Sequence, residues 1–487
     1  MKSKKGEGVY NVVVIGAGTA GLVTAAGTAS LGGRVALIER NKMGGDCLNF
    51  GCVPSKALIS SARLAHHIAH AEEWGLSAQA PRFELAHVFE RMRERRAEIA
   101  PNDSQARFES LGVDVFRGQA RFLSPREVEV DGTTLRAKNF VIATGTRATI
   151  PPIEGLEAVR YFTNETIFDE LTASPESMLV IGGGPIGCEL SQAFARLGVK
   201  VTLLNRGRQI LSKEDADVAE LIAARLTADG VTILAEAEAK SCQQKNGTIE
   251  LRYELKSSGD EQHSIKAEAL LIAAGRTPNL DSLHLQTARV KYNTHGIVTN
   301  ERLQTSQPHI YAIGDVVGPY QFTHMADYHA RIVVRNILVP FAFLGQKIDY
   351  SVVPWCTFVD PEVARVGLNE REAAKQKIAF DVIRQEMAQV DRAVVESEET
   401  GFAKVLVKRG TDEILGATIV SEHAGELIHE FILAMQQGIG LGKIASMIHV
   451  YPTFAEVARK VGDQFNKKRL TPLARKIFGW LYERGRS

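Results

Sequence analysis

Two cysteines five residues apart carry the most specific chemistry in the chain. The segment Gly44-Gly45-Asp46-Cys47-Leu48-Asn49-Phe50-Gly51-Cys52-Val53-Pro54-Ser55-Lys56 precedes a stretch that reads as a helix from Ala57 onward. A thiol near a helix N-terminus with a lysine close by is drawn toward thiolate, because both features favour negative charge. Gly51 is expected to give the backbone the contortion that lets the two sulfurs meet. Such a pair can cycle between disulfide and dithiol; the bland alternative is a static disulfide or two unrelated buried thiols. Only five cysteines occur, at 47, 52, 188, 242 and 356. A sparse, odd count does not look like a secreted disulfide scaffold, so a reducing, cytoplasmic setting and a catalytic pair are expected. Cys188, Cys242 and Cys356 stand alone and read as small buried hydrophobes.

Two glycine-rich turns supply a second kind of chemistry. Val12-Val13-Val14-Ile15 runs into Gly16-Ala17-Gly18-Thr19-Ala20-Gly21, and Met178-Leu179-Val180-Ile181 runs into Gly182-Gly183-Gly184-Pro185-Ile186-Gly187. In each G-x-G-x-x-G the first glycine permits a tight turn, the second lets a pyrophosphate approach the backbone, and the third lets helix and strand pack closely. The following helix then points its positive end at the phosphates. After the first turn Glu39 ends the next strand, read over residues 34–38, where a carboxylate takes a ribose 2′-hydroxyl. After the second, the strand over 200–204 ends in Asn205-Arg206-Gly207-Arg208, with no acid. An asparagine does not repel a 2′-phosphate and two arginines can neutralise one, which favours NADPH over NADH; the alternative is that these arginines are solvated surface charges.

These turns must sit in βαβ units, about one domain length apart. Each stretch closes on a short apolar strand and a small-residue turn, Phe140-Val141-Ile142-Ala143-Thr144-Gly145 and Leu270-Leu271-Ile272-Ala273-Ala274-Gly275. A further strand, Ile310-Tyr311-Ala312-Ile313, stops at Gly314-Asp315. Beyond residue 346 the pattern changes to antiparallel-style strands at 402–407 and 414–420, mixed with helices. A chain of 487 residues exceeds one hydrophobic core. The 58 Lys and Arg against 57 Asp and Glu argue against a nucleic-acid surface. No apolar run reaches the roughly 18 residues a bilayer requires. The basic start, Met1 to Gly8, lacks the apolar region and cleavage site of a secretory signal.

The Cys-Leu-Asn-Phe-Gly-Cys-Val-Pro-Ser-Lys segment resembles that of the pyridine nucleotide–disulfide oxidoreductase family, and the likeness extends from residue 10 to about 467. It implies an α/β protein with two Rossmann-like dinucleotide-binding domains and a C-terminal α+β dimerisation domain. The boundaries expected are 1–160 with 290–345 for a split FAD domain, 161–289 for an NAD(P)H domain, 346–468 for dimerisation, and 469–487 for a basic tail. The resemblance implies FAD at Gly16, Gly18, Gly21, Glu39, Thr144, Gly145 and Gly314, with Asp315 near the ribityl chain. It implies NAD(P)H at Gly182, Gly184, Gly187, Asn205, Arg206, Arg208 and Gly275. Cys52 would face the flavin and Cys47 would exchange with substrate. Lys56 and Glu189 would pair beside the isoalloxazine, and two subunits would complete each other's active sites.

One position departs from the family. Its disulfide reductases carry His-Pro-Thr-x-x-Glu, whereas this chain reads His449-Val450-Tyr451-Pro452-Thr453-Phe454-Ala455-Glu456. Tyr451 takes the histidine position, Glu456 remains, and His449 would point elsewhere. A phenol with an ordinary pKa near 10 is a poor base near neutral pH. A tyrosine here resembles the mercuric reductase branch, as does Leu190-Ser191-Gln192-Ala193-Phe194-Ala195-Arg196-Leu197-Gly198. That branch has a cysteine pair near its C-terminus, and no cysteine follows Cys356 here. The leading expectation is a mercuric-reductase-like enzyme acting on a thiol-bound metal ion or other small acceptor. The alternatives are a reductase of a small disulfide or a dihydrolipoamide-dehydrogenase-like diaphorase. From another class come a flavoprotein redox sensor that does not turn over and a membrane-associated partner protein.

Two further features complete the reading. His66 and His70 share a helix face but have no acid partner in the motif, so a packed or solvated helix is expected and no resident metal. In the tail, Leu473, Ile477, Trp480 and Leu481 recur at helical spacing opposite Arg475, Lys476, Arg484 and Arg486. Such a helix can lie on an anionic membrane, dock on a partner, or pack against its own subunit or dimer mate.

Overall fold

A computed structural model describes residues 5–79, 81–256, 261–339 and 344–484. Residues 1–4 of the basic start and Arg486 of the tail lie outside them. The chain forms two compact units, one of Met1–Ala65, Pro81–Arg208 and Val231–Asp349, the other of His66–Ala80, Gln209–Gly230 and Tyr350–Ser487.

In the first unit one sheet runs in the order Asp114–Arg117, Val35–Glu39, Val9–Ile15, Thr133–Ile142, Glu127–Val130, Ala120–Ser124, with Ile310–Ala312 also on Thr133–Ile142. Val12, Val13 and Val14 are fully buried. A parallel strand covered on both faces has no polar side to show, which is why this run is unbroken aliphatic sequence. On the edge away from Val9–Ile15, strand Thr133–Ile142 serves two partners. Its first residues pair antiparallel with Glu127–Val130, and Phe140 to Ile142 pair in parallel with Ile310 to Ala312. That late return delivers Gly314-Asp315 to the strand ends where the first glycine-rich turn lies.

A second sheet in the same unit is wholly parallel, ordered Thr232–Ala235, Lys200–Asn205, Ser177–Ile181, Ala269–Ile272. Three antiparallel strands, Ala237–Lys245, Thr248–Leu255 and Gln262–Ala267, form a further sheet, and Thr146–Ala148 pairs antiparallel with Arg276–Pro278.

The second unit has a five-stranded antiparallel sheet, ordered Pro354–Thr357, Glu362–Gly367, Ile414–Ser421, Phe402–Lys408, Phe380–Glu386. Ile383, Val405 and Ile419 of the sheet share a core with Phe431, Val457 and Phe465 of its helices. Two buried cations, Lys404 and Arg365, are each met by carboxylates, as a low-dielectric interior demands. Lys404 lies 2.9 Å from Asp215 and Asp217 and 2.8 Å from Glu370. Arg365 bridges Glu214 and Glu372 at 3.1 and 2.7 Å and lies over the Trp355 ring. Trp355 thus packs under Arg365 and donates from Nε1 to Glu214 at 2.9 Å. Cys188 and Cys242 are buried, but Cys356 is only half-buried, a departure from the expected small hydrophobe. His66 is packed rather than solvated, with Nε2 2.8 Å from Arg225 and Nδ1 3.6 Å from Asp229.

Candidate active site

The first glycine-rich turn is shaped by what a side chain would strike. A Cβ on Gly16, which has φ of +104°, would sit 2.4 Å from the Ala143 carbonyl oxygen, and one on Gly21 would sit 1.8 Å from that of Gly16. Gly18 meets nothing nearer than the Gly45 Cα at 3.7 Å, so its open side is free for a ligand to approach. Glu39 ends its strand buried, its two oxygens accepting from the N–H groups of Ala17 at 2.7 Å and Asn41 at 2.6 Å. A small open cleft of about 50 Å³ beside it is lined by Gly16, Glu39, Gly118, Thr144, Asn279 and Leu283. Gly145 follows with φ of +63°. This is a cradle that an adenine dinucleotide fits: a half-buried helix N-terminus, a fixed carboxylate, and a cleft beside it.

Asp315 enters from the returning strand and accepts from the Thr146 hydroxyl at 3.1 Å. Burial pushes its carboxyl above the usual range, and the nearby Arg276 charge opposes that. The preceding turn rests on a histidine. The Gly314 N–H donates to Nδ1 of His329 at 3.1 Å, and burial lowers the His329 pKa to about 4. The hydrogen bond requires Nδ1 without a proton. Above pH 6.5 folded and unfolded chains are alike at this group; below it only the unfolded chain takes up the proton, so stability falls as pH drops toward 4. The loss reaches about 3 kcal/mol, and His329→Gln, whose amide oxygen can accept the same bond, should flatten it in denaturation measured from pH 7 to 4.

The cysteine segment is pressed against the first turn. Gly44 and Gly45 have φ of +88° and +58°, the Gly44 N–H donates to Ala17 O at 2.9 Å, and a Cβ on Gly45 would lie 2.5 Å from the Gly18 Cα. Cys47 therefore rides on a short helix, Gly45–Asn49, directly against the cradle. The following helix does not begin at Ala57. It spans Cys52–Ala69, because Pro54 falls in the first turn, where its missing N–H is no loss. Cys52 is thus the opening residue of the helix. Gly51 is crowded: a Cβ there would stand 3.0 Å from Asp46 Oδ2 and 3.2 Å from Asp46 O.

Cys47 and Cys52 are free thiols, and each bears on the ionisation of the other. Donation from Cys47 lowers the Cys52 pKa to about 6, helped by the Thr323 hydroxyl at 3.3 Å and the Lys56 charge and opposed by burial and Asp46. Cys47 is pushed up, chiefly because its proton is held on Cys52. Thr323 opens the Thr323–Leu338 helix, 271 residues from Cys52, and no local signal in the sequence marks it. Asp46 was also missed. Its Oδ1 lies 3.1 Å from Arg276, which donates to the Thr146 hydroxyl at 2.7 Å, and that hydroxyl donates to Asp315. A carboxylate beside the pair disfavours thiolate, so Asp46→Asn should lower the pH at which Cys52 alkylates, by up to about one unit. Alkylation rates of the Cys52 peptide, followed by mass spectrometry across pH 4 to 9, measure this.

Lys56 Nζ lies 2.9 Å from Glu189 Oε2, joining the cysteine helix to the Pro185–Arg196 helix. That helix follows the second glycine-rich turn. A Cβ on Gly182 would meet Ala273 O at 2.3 Å and one on Gly187 would meet Gly182 O at 1.8 Å, whereas Gly184 has nothing within 4 Å. Asn205 donates to Gly207 O at 2.7 Å, Arg206 and Arg208 are exposed, and Gly275 has φ of +126°. The structure thus brings Cys47, Cys52, Lys56 and Glu189 together, with both glycine-rich turns in the same unit.

Tyr451 and Glu456 belong to the second unit. The Tyr451 side chain is 65% exposed, and its hydroxyl donates to Asp391 at 2.9 Å, which raises the phenol pKa above its usual value. Glu456 does not orient it: that carboxylate takes the Arg459 guanidinium. His449 is turned inward, with Nε2 3.0 Å from Glu430 and its side chain 7% exposed.

The family pattern described as pyridine nucleotide-disulphide oxidoreductase matches residues 10–330, and the dimerisation domain of the same family matches residues 353–461. The chain belongs to this family of FAD-dependent oxidoreductases that use a pyridine nucleotide, and its dimerisation domain indicates a homodimer. It is 34% identical over 459 residues to a mercuric reductase of Bacillus cereus, covering 94% of this chain and 72% of the relative. It is 33% identical over 461 residues to a dihydrolipoyl dehydrogenase of Geobacillus stearothermophilus, covering 93% and 95%. Among solved structures, the Cu(II) complex of the HOCl-induced flavoprotein disulfide reductase RclA from Escherichia coli superposes with a TM-score of 0.83 at 27% identity, covering 94% of this chain and 99% of that one. Among the described residues no helix is long and apolar enough to cross a membrane, and no cluster of three or more metal-ligating side chains occurs.

Proposed function

We propose that the chain is a mercuric-reductase-like enzyme, passing electrons from NADPH to a soft metal ion held by thiolates. The observation that carries the reading is the exposed Tyr451 hydroxyl, committed to Asp391 where disulfide reductases have their histidine. Reducing a disulfide substrate releases a thiolate that must be protonated, and oxidising a dithiol needs a base. His449 faces Glu430 and cannot serve. A divalent metal ion needs neither step: one hydride from NADPH supplies its two electrons, and one proton goes to solvent.

Gly16, Gly18, Gly21, Glu39, Thr144, Gly145, Gly314 and Asp315 would hold FAD, which when bound relays two-electron equivalents from nicotinamide to the cysteine pair. Glu39 would accept from a ribose hydroxyl, and the Thr19–Ser30 helix would face the pyrophosphate. Gly182, Gly184, Gly187 and Gly275 would seat NADPH, with Asn205, Arg206 and Arg208 at its 2′-phosphate. Lys56, fixed by Glu189, holds positive charge beside Cys52. Opening the disulfide takes two electrons; Cys52 keeps the thiolate and Cys47 the proton, and loss of that proton arms both sulfurs as soft-metal ligands. In the homodimer, Tyr451 of each subunit would complete the other's site. A cytoplasmic, reducing setting suits the pair.

The test is NADPH oxidation by purified protein with Hg(II) in excess thiol, run beside lipoamide, glutathione disulfide and quinones. Turnover dependent on Hg(II) is expected. Its absence, with vigorous lipoamide or disulfide turnover, overturns the metal assignment in favour of the dihydrolipoyl-dehydrogenase-like reading. A single reduction followed by a stall with every acceptor would identify a redox sensor instead.

A further inference from the structure

Among the described residues, none of the Pro472–Arg484 helix is buried. All its described residues are exposed or half-buried, and Leu473, Ile477, Trp480 and Leu481 keep half or more of their side-chain surface. These four stand at i, i+4, i+7 and i+8, which places them on one stripe. Arg475 and Lys476 lie on the opposite side, and from Lys467 to Arg484 six basic residues face one acid, Glu483. The sequence also suggests Arg484 on the polar side, but its guanidinium instead lies 4.2 Å over the Trp480 ring. Its stem crosses the apolar stripe and its charge is carried on an aromatic face, the posture of a side chain that reaches from apolar depth to a polar boundary. The family's dimerisation pattern ends at residue 461, before this helix begins.

We infer that this helix docks the enzyme on an anionic lipid surface, lying flat with Trp480 and its apolar neighbours inserted. Thirteen residues rise about 20 Å, too short to span a bilayer but ample for an in-plane helix. Charge complementarity selects the occupant. A surface of anionic headgroups meets Lys467, Arg469, Arg475 and Lys476, while hydrocarbon just beneath takes the stripe. A tryptophan, apolar with one polar N–H, suits that boundary.

The experiment is sedimentation of the full-length FAD-loaded protein with vesicles of phosphatidylcholine alone or with about one-third phosphatidylglycerol. The intact chain should bind the anionic vesicles at least ~10-fold more tightly, and salt near 0.5 M should release most of it. A variant ending at Lys468 and the double variant Ile477→Glu, Leu481→Glu should each lose binding by ~10-fold or more, with FAD content and NADPH turnover unchanged. Failure of the intact chain to sediment with anionic vesicles at low salt overturns the proposal. So does equal binding by the truncated variant. Cross-linking of the helix to a second copy, or recovery only with protein-bearing native membranes, while lipid vesicles leave the chain in solution, also overturns it and assigns a protein occupant.

Discussion

Cys52→Ser should cut turnover with any acceptor that depends on the pair by about a thousandfold or more, while FAD content and thermal stability stay at wild-type levels. Cys52 opens a helix, lies within reach of Lys56 and Thr323, and accepts the Cys47 proton. Serine, close to cysteine in size and shape, fits this exposed helix start without repacking. What it lacks is a group that ionises near pH 6 and can form a disulfide. NADPH oxidation by small quinones, which bypasses the sulfurs, should survive. Cys47→Ala separates the two roles. It too should abolish acceptor reduction, and by removing the donor that contributes most to the low pKa it should move Cys52 alkylation to higher pH. Should either variant reduce the metal ion at the wild-type rate, reduction would have to occur away from the sulfurs.

The two dinucleotide-type turns were legible because their requirements are local. Gly16 and Gly21 are forced by backbone atoms a few residues away or on an adjacent strand, and any sequence that builds this turn must place glycines there. The cysteine pair was legible for the same reason, down to the lysine four residues on. Its surroundings were not. Thr323 comes from a helix 271 residues later, and Asp46 meets Arg276 only because the Arg276–Pro278 strand pairs with Thr146–Ala148. No period or spacing encodes such meetings; tertiary packing does. Local rules also misplaced the start of the cysteine helix, since Pro54 reads as a breaker until it is seen to occupy the first turn. The room that Gly51 leaves beside Asp46 was not legible, because crowding is invisible until the neighbour is placed. In the tail the apolar stripe was plain from spacing, but so was the place of Arg484 four residues after Trp480 on that same stripe, and the polar-side reading overlooked it.

The sharpest separation of fold from ligand binding lies in the second glycine-rich turn. Gly187→Ala should prevent normal folding of the sheet that holds it, because the added Cβ would stand 1.8 Å from the Gly182 carbonyl oxygen and the helix would have to leave the strand. No rotamer relieves a clash between two backbone-fixed atoms, and overpacking of this kind costs several kcal/mol. Gly184→Ala is the opposite case. Gly184 has φ of −81° and ψ of −178°, an extended conformation open to any residue, and nothing lies within 4 Å of its added methyl. The variant should fold, dimerise and retain FAD as the wild type does. Yet the methyl stands at the N-cap of the Pro185–Arg196 helix, on the side from which a pyrophosphate must reach the backbone N–H groups. The rate of flavin reduction against NADPH concentration should then show an apparent Kd raised by about 30-fold or more, equivalent to about 2 kcal/mol. Reduction by dithionite, which needs no nucleotide site, should be unaffected. A Gly184→Ala protein that takes NADPH as tightly as the wild type would mean that the nucleotide does not lie across this turn.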